Sequence, residues 1–249
     1  WLPDDVDDAK EYQMEAIEIA EAITAKEPLN AENYRLLQSA YGVWSRTPGE
    51  AKNENWVALR AQEVAAARKL VELEPDKTSS RHALAKSLIA TEEFASIQEA
   101  VNILEALISE YPRQWSYKYQ CARAYYRLAN ALPPPYADRI PINMKAVELS
   151  RSLVEEDPED RFYSHLLAIS LKNHGIRLTK TEDWENAESP LLESCSLLKQ
   201  LSNNEPENTL KRGAYADSLD SLATLYQKME QWEKAIEIYR MAISTLATI

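Results

Sequence analysis

The chain has 249 residues with only 4 Gly and 2 Phe, and its formal net charge is -12 at pH 7. Tight β-hairpin turns usually need Gly, which is scarce here, whereas Ala, Leu, Glu and Lys are abundant and favour helices. The composition therefore predicts an all-α protein. The negative charge argues against a nucleic-acid partner, because affinity for a polyanion comes largely from basic side chains. No apolar run reaches the roughly 20 residues that a membrane-spanning helix needs. Two cysteines without disulfide or zinc-ligand spacing fit a cytoplasmic location.

Five prolines divide the chain at nearly regular intervals. They are Pro28, Pro75, Pro112, Pro158 and Pro206, and the intervals between them are 47, 37, 46 and 48 residues. Each follows an apolar-periodic stretch and precedes a polar restart. Since proline cannot continue a helix and disfavours helical backbone in the residue before it, the prolines predict five helix ends.

Two helices are predicted in each interval, after a first helix at 9–26. In chain order the first three pairs cover 36–44 with 56–73, 83–89 with 97–108, and 116–132 with 142–156, the last pair separated by a loop at 133–141. In the two final pairs the second helix opens on a repeated Glu-x-Trp-Glu-x-Ala, with Trp184 and Trp232 separated by 48 residues. Repeated helical hairpins at this period predict a solenoid.

The stretch LATLYQKMEQWEKAIEIYRMAI at 222–243 resembles the tetratricopeptide repeat (TPR), a helix-turn-helix unit of 34 residues. The residues that carry the resemblance are Leu222, Ala223 and Tyr226 on the first helix and Trp232, Ala235, Tyr239 and Ala242 on the second. It implies a right-handed α-solenoid of about five TPR-like pairs, forming one domain over 1–249. It also implies that Trp184 and Trp232 pack back on the first helix of their pair.

Small residues recur where the paired helices are expected to cross. They are Ala85, Ala122, Gly175 and Ala223 on first helices and Ala16, Ala100, Ala146, Ala187 and Ala235 on second ones. Larger side chains at these positions would hold the backbones apart. Gln38 and Glu63 stand in the first pair where small residues are expected, so this pair departs from the pattern.

The two ends of the solenoid lack an evident cap. The helix at 9–26 resembles a second helix without its first, and Ile236, Tyr239, Ile243 and Leu246 share one face of the last helix. Terminal repeats need a polar outer face for solubility. We therefore expect either a segment of a larger multidomain protein or a homo-oligomer formed through the C-terminal helix.

Catalytic and metal-binding patterns are missing from the sequence. It contains no Walker, dinucleotide-binding, nucleophile-elbow or zinc-protease motif. His165 and His174 are nine residues apart on one predicted helix and fall on opposite sides of it. The sequence thus predicts a protein that is not an enzyme and has no metal or cofactor.

The resemblance implies a binding surface on the first helix of each pair, which lines the concave face in TPR proteins. The positions carried over are Arg35, His82, Lys86, Tyr119, Arg123, Tyr126 and Lys172, with Arg127 beside them. Arg and Tyr are frequent anchors of interfaces, although exposed helix faces carry such residues in any case. The leading hypothesis is a scaffold that binds a protein or an acidic peptide in this groove. The alternative is a sensing or autoinhibitory arm of a signalling enzyme (kinase, protease-like or nucleotide-binding) whose catalytic domain lies outside this segment.

Overall fold

The computed structural model describes residues 3–44 and 54–247, and side chains over 11–43 and 56–247. All regular structure in these ranges is helical, as the sequence predicts. The helices are α1 (Pro3–Lys26), α2 (Ala31–Trp44), α3 (Glu54–Leu73), α4 (Thr78–Ala90), α5 (Phe94–Glu110), α6 (Trp115–Ala131), α7 (Arg139–Glu156), α8 (Arg161–Lys180), α9 (Trp184–Asn204), α10 (Thr209–Lys228) and α11 (Trp232–Ala247), with a 3₁₀ turn at Tyr136–Asp138.

The predicted helix ends are confirmed. The helices α1, α3, α5, α7 and α9 each end two residues before one of the five prolines. The helices begin earlier than predicted, for example α2 at Ala31 and not at 36, α4 at Thr78 and not at 83, and α7 at Arg139 and not at 142. Pro141 then lies in the first turn, where the missing amide hydrogen breaks no helical hydrogen bond.

The contacts group the chain into two compact units, Trp1–Pro112 and Arg113–Ile249. Within the first unit, α1 to α5 each pack on the next helix in the chain, and within the second unit α6 to α11 do the same. Each helix therefore buries its apolar face against its neighbours in sequence, which is the packing of a helical repeat. The prediction of a single domain over 1–249 stays a prediction.

Most of the predicted small residues lie at buried helix crossings. Ala85, Ala100, Ala122, Ala146 and Ala187 have no exposed surface. The prediction for Ala16 is wrong, since this side chain is exposed.

The stripe of α1 that packs on α2 lies one position further along the helix. It consists of Ile17, Ala20 and Thr24, and the first two join a buried cluster with Leu37 and Tyr41. A helix buries positions three and four apart, so a register shifted by one residue turns Ala16 towards solvent.

The two tryptophans of the repeated motif differ in burial. Trp184 is half-buried and packs against a buried cluster to which the first helix of its pair, α8, contributes Ala168 and Leu178. Trp232 is 53% exposed, and its predicted packing on the first helix stays a prediction. It opens α11, whose principal contact among the described helices is α10.

Three tight turns hold a glutamate in the left-handed backbone region. Glu92 and Glu182 have φ of 63° and Glu230 has φ of 58°. The hydrogen bond from Gln231 N to Tyr226 O, at 2.9 Å, closes the turn at Glu230 as in a Schellman motif. Glycine is the usual residue at this position, because a Cβ is strained there.

We expect Glu230→Gly to raise the free energy of unfolding by about 0.5 to 1 kcal/mol, since relief of left-handed strain exceeds the entropy that glycine adds to the unfolded chain. Urea denaturation followed by circular dichroism measures the change. Glu237→Gly is the matched control within α11, where helical backbone makes glycine destabilising by about 1 kcal/mol. A loss of stability in both variants would contradict the role assigned to Glu230.

Candidate interaction surface

Four of the predicted site residues lie together on α6. Tyr119, Arg123, Tyr126 and Arg127 are spaced by four, three and one residues, so they share one face of the helix. All four side chains are half-buried. The Arg123 guanidinium lies 5.8 Å from the centroid of the Tyr119 ring, within the range of a cation–π contact. We call these four residues the α6 strip.

A cavity of about 680 Å³ opens beside the α6 strip, at the starts of α6 and α8. Two of its residues are exposed aromatics, with Trp115 44% and Phe162 73% accessible. We call it the aromatic cavity, and its lining residues are Arg113, Gln114, Trp115, Ser116, Tyr119, Asp160, Phe162 and Tyr163. Its volume lies within the usual range of ligand-binding pockets.

Local structure fixes the aromatic side of this cavity. Asp160 caps α8, and its carboxylate accepts hydrogen bonds from the backbone N–H of Phe162 at 2.7 Å and of Tyr163 at 3.1 Å. The Tyr163 ring lies 5.8 Å from the Tyr119 ring at an angle of 43°. Burial raises the pKa of Tyr163, with Asp160 adding to the effect, so its hydroxyl remains a neutral donor at physiological pH.

Sequence reasoning identified Tyr119 but missed Trp115, Phe162 and Tyr163. These three residues open consecutive first helices, α6 and α8. The sequence does contain a signal for them, which is the recurrence of aromatic residues at the starts of two consecutive first helices. First helices of neighbouring repeats pack side by side, so residues at their starts lie close together. The positions carried over from the TPR resemblance lie further along each helix and therefore did not include these three aromatic residues.

In the first unit, the predicted Arg35 is engaged by the protein's own carboxylates. Its guanidinium donates to Glu74 at 2.8 Å and to Glu32 at 3.2 Å. Glu74 also accepts from Ser80 and Lys77, and these hydrogen bonds, with that of Arg35, lower the pKa of Glu74 to about 2. Its negative charge persists at any physiological pH. Arg35 is therefore a weaker candidate than Arg123 for contact with an anionic ligand.

The predicted residues of α4 offer one charge and one neutral ring. Lys86 is exposed and follows the half-buried His82 by one helical turn. Burial, and secondly the charge of Lys86, lowers the pKa of His82 to about 4. The imidazole is thus neutral near pH 7 and supplies hydrogen bonding without charge.

Lys172, the predicted member on α8, lies near a different group of residues. Burial lowers the pKa of His165, and the charges of Lys211 and Lys172 lower it further. The charge of Lys172 also acts on the buried thiol of Cys195, whose pKa burial raises. These effects associate Lys172 with α9 and α10, and no described contact joins it to the aromatic cavity.

The last helix presents the apolar face that the sequence predicts. Ile236, Ile243 and Leu246 are exposed, while Tyr239 packs partly against the core of the second unit. Self-association through this face stays a prediction.

Within the described ranges, no group of three or more His, Cys, Asp or Glu side chains is arranged to hold a metal ion. None of the helices described is long and apolar enough to cross a membrane.

Helical hairpins packed in sequence order define the class of helical repeat proteins, and solved structures specify which repeat. The chain is similar to YrrB, described as a TPR protein with an unusual peptide-binding site, with 16% identity, a TM-score of 0.50 and coverage of 92% of this chain and 93% of that one. It is also similar to MamA from Desulfovibrio magneticus RS-1, with 12% identity, a TM-score of 0.53 and coverage of 88% and 96%. RapI in its apo form matches with 14% identity and a TM-score of 0.62 over 94% of this chain but 59% of RapI.

No family model matches the sequence, and no curated protein does. At such low sequence identities the similarity shows the fold alone. The chain has the TPR fold, and the all-α repeat architecture predicted from its sequence is confirmed.

Proposed function

We propose that the protein is a non-catalytic interaction scaffold whose second unit binds an acidic peptide segment along the α6 strip and into the aromatic cavity. The observation that carries the proposal is the junction of these two features at Tyr119, which belongs to both. The TPR fold supports a protein-binding role in general, and the YrrB structure is described as having a peptide-binding site.

The chemistry of the surface favours one kind of ligand. Trp115 and Phe162 leave large aromatic areas in water, which a bound apolar side chain would cover at a gain of about 25 cal/mol per Å². Arg123 and Arg113 lie beside this area and can pair with carboxylates. A ligand with an aromatic or aliphatic residue followed by Asp or Glu satisfies both requirements.

A cytoplasmic location is part of the proposal. Cys121 and Cys195 are buried and do not form a disulfide, as is usual for thiols in a reducing compartment. The alternative role as the sensing or autoinhibitory arm of a signalling enzyme would use the same surface, and it stays a prediction.

Selection of peptides from a random library on the whole chain tests the proposal, followed by affinity measurement of the selected peptides by fluorescence anisotropy. We expect enrichment of acidic sequences with an apolar anchor, and Arg123→Glu should weaken their binding at least about tenfold by removing an attraction and adding a repulsion. The matched control is Arg240→Glu, which makes the same charge change at an exposed position of α11. Equal loss in both variants, or enrichment of basic peptides, would refute the proposed ligand chemistry.

A further inference from the structure

A tyrosine in the α6–α7 connection is surrounded by positive charge. Lys180 Nζ lies 4.4 Å from the centroid of the Tyr136 ring and donates to the Tyr136 hydroxyl oxygen at 3.1 Å. The guanidinium carbon of Arg139 lies 4.7 Å from the same centroid. Together with Arg177, whose charge contributes to the lowered pKa of Tyr136, we call these residues the basic cluster. Its members come from the 3₁₀ turn, α7 and α8 of the second unit.

Arg177 is the buried member of the cluster, with 3% of its surface exposed. Its guanidinium donates to Asn143 Oδ1 at 2.7 Å, to Asn130 Oδ1 at 2.6 Å and to Asn173 O at 2.8 Å. All three acceptors are neutral, and its Nε has no hydrogen-bond partner. Burial, and secondly Arg139, lowers the pKa of Arg177 to about 10, so it is still charged at neutral pH.

The basic cluster lacks acidic partners in the described part of the chain. No carboxylate oxygen there lies within the 4.0 Å ion-pair distance of Arg139, Arg177 or Lys180. Other arginines of the second unit do have such partners, for example Arg151 with Glu193 at 2.7 Å. A buried charge is costly unless it is paired, and the positive charge of Arg139 acts on Arg177 as well. The arrangement favours binding of an anion from solution.

We propose that the basic cluster binds a phosphate dianion, either as free phosphate or as a phosphate monoester. One carboxylate would neutralise only one of the three positive charges, whereas a dianion neutralises two of them and leaves an excess of one positive charge. Arginine and lysine are the usual phosphate donors in proteins. Because Lys180 donates to the Tyr136 oxygen, the Tyr136 O–H is free to donate to the bound anion as well. Lys180 is exposed and Tyr136 and Arg139 are half-buried, so an anion can reach these three side chains from solvent.

Isothermal titration calorimetry on the whole chain, at fixed ionic strength, tests this site. The probes are inorganic phosphate, O-phospho-L-serine and acetate. We expect saturable binding of at least one phosphate compound and none of acetate. Binding of inorganic phosphate alone identifies the free ion as the ligand, and tighter binding of phosphoserine identifies an ester. Absence of saturable phosphate binding, or acetate binding of equal strength, would overturn the proposal.

Variants locate the binding within the chain. Arg139→Gln with Lys180→Gln removes two charges of the basic cluster but keeps the structural Arg177, and should weaken phosphate binding at least about tenfold. Lys199→Gln with Arg240→Gln removes two exposed charges elsewhere in the second unit and should bind as the unchanged protein does. Circular dichroism verifies that both double variants fold. Equal weakening in the two would attribute binding to overall charge and refute the site.

The pKa of the Tyr136 hydroxyl provides a second test of the site that does not depend on calorimetry. The hydrogen bond from Lys180, and its charge, lower the pKa of the Tyr136 hydroxyl. A bound dianion would offset the positive charge and raise this pKa again. Carbon NMR of chains labelled at tyrosine Cζ, with Tyr136→Phe to assign the signal, measures the titration with and without phosphate. A Tyr136 titration that phosphate leaves unmoved would contradict binding at this place.

Discussion

Replacing Glu63 by Ala is expected to lower the free energy of unfolding of the first unit by about 3 to 5 kcal/mol, because it removes one partner of a buried ion pair. Arg60 and Glu63 lie one turn apart on α3, are 8% and 6% exposed, and approach to 2.6 Å. An effect of this size follows from burial, since exposed ion pairs contribute little.

The carboxylate of Glu63 also connects three helices. It accepts a hydrogen bond from Ser87 on α4 at 2.9 Å, and Ser87 in turn accepts one from Gln38 on α2 at 2.9 Å. Loss of the carboxylate therefore removes the acceptor of a fully buried hydroxyl as well as a charged partner of Arg60.

Urea denaturation of single and double variants measures the effect. Glu72→Ala is the matched control, because Glu72 pairs with Lys69 at the same spacing on the same helix but in the open, and its removal should leave the midpoint unchanged. Arg60→Met combined with Glu63→Leu should be more stable than Glu63→Leu alone, since it removes both charges. A double variant no better than the single one would show that Arg60 is stabilised without Glu63.

This buried network also shows where sequence reasoning failed in the first unit. The pattern of small residues correctly predicted the crossings at Ala85 and Ala100. It treated Gln38 and Glu63 as departures from the repeat pattern because the pattern considers only the volume of the side chain at each helix crossing. A long polar side chain occupies a helix crossing when partners from the facing helices satisfy it, and those partners, Ser87 and Arg60, are distant or unremarkable in sequence.

The fold was predictable because its determinants are local. A proline two residues beyond a helix, or a small residue at a fixed spacing, acts on backbone that is near in sequence. The candidate surfaces depend on side chains brought together from separate helices. Tyr163 lies 44 residues after Tyr119, and Lys180 lies 44 after Tyr136, so the periodicity of one helix gives no indication that either pair approaches.

Gly175→Ala is expected to lower the free energy of unfolding of the second unit by up to about 2 kcal/mol, because overpacking costs about 1 to 3 kcal/mol. A Cβ at Gly175 would lie 2.4 Å from Leu191 Cγ and 3.2 Å from the backbone oxygen of Ala187, so Leu191 would have to shift or α8 and α9 would have to separate. Alanine favours a helix over glycine by about 1 kcal/mol, and the expected loss is what remains after that gain.

Gly213 provides the control for this effect. It lies within α10, and nothing would lie within 4 Å of an added Cβ, so Gly213→Ala should stabilise by about 0.5 to 1 kcal/mol. Leu191→Ala, itself destabilising, should lessen the additional cost of Gly175→Ala, because the clashing atoms are gone. Urea midpoints of the four variants form the test. If Gly175→Ala and Gly213→Ala changed stability alike, helix propensity alone would govern both positions and the close crossing of α8 and α9 would require no glycine.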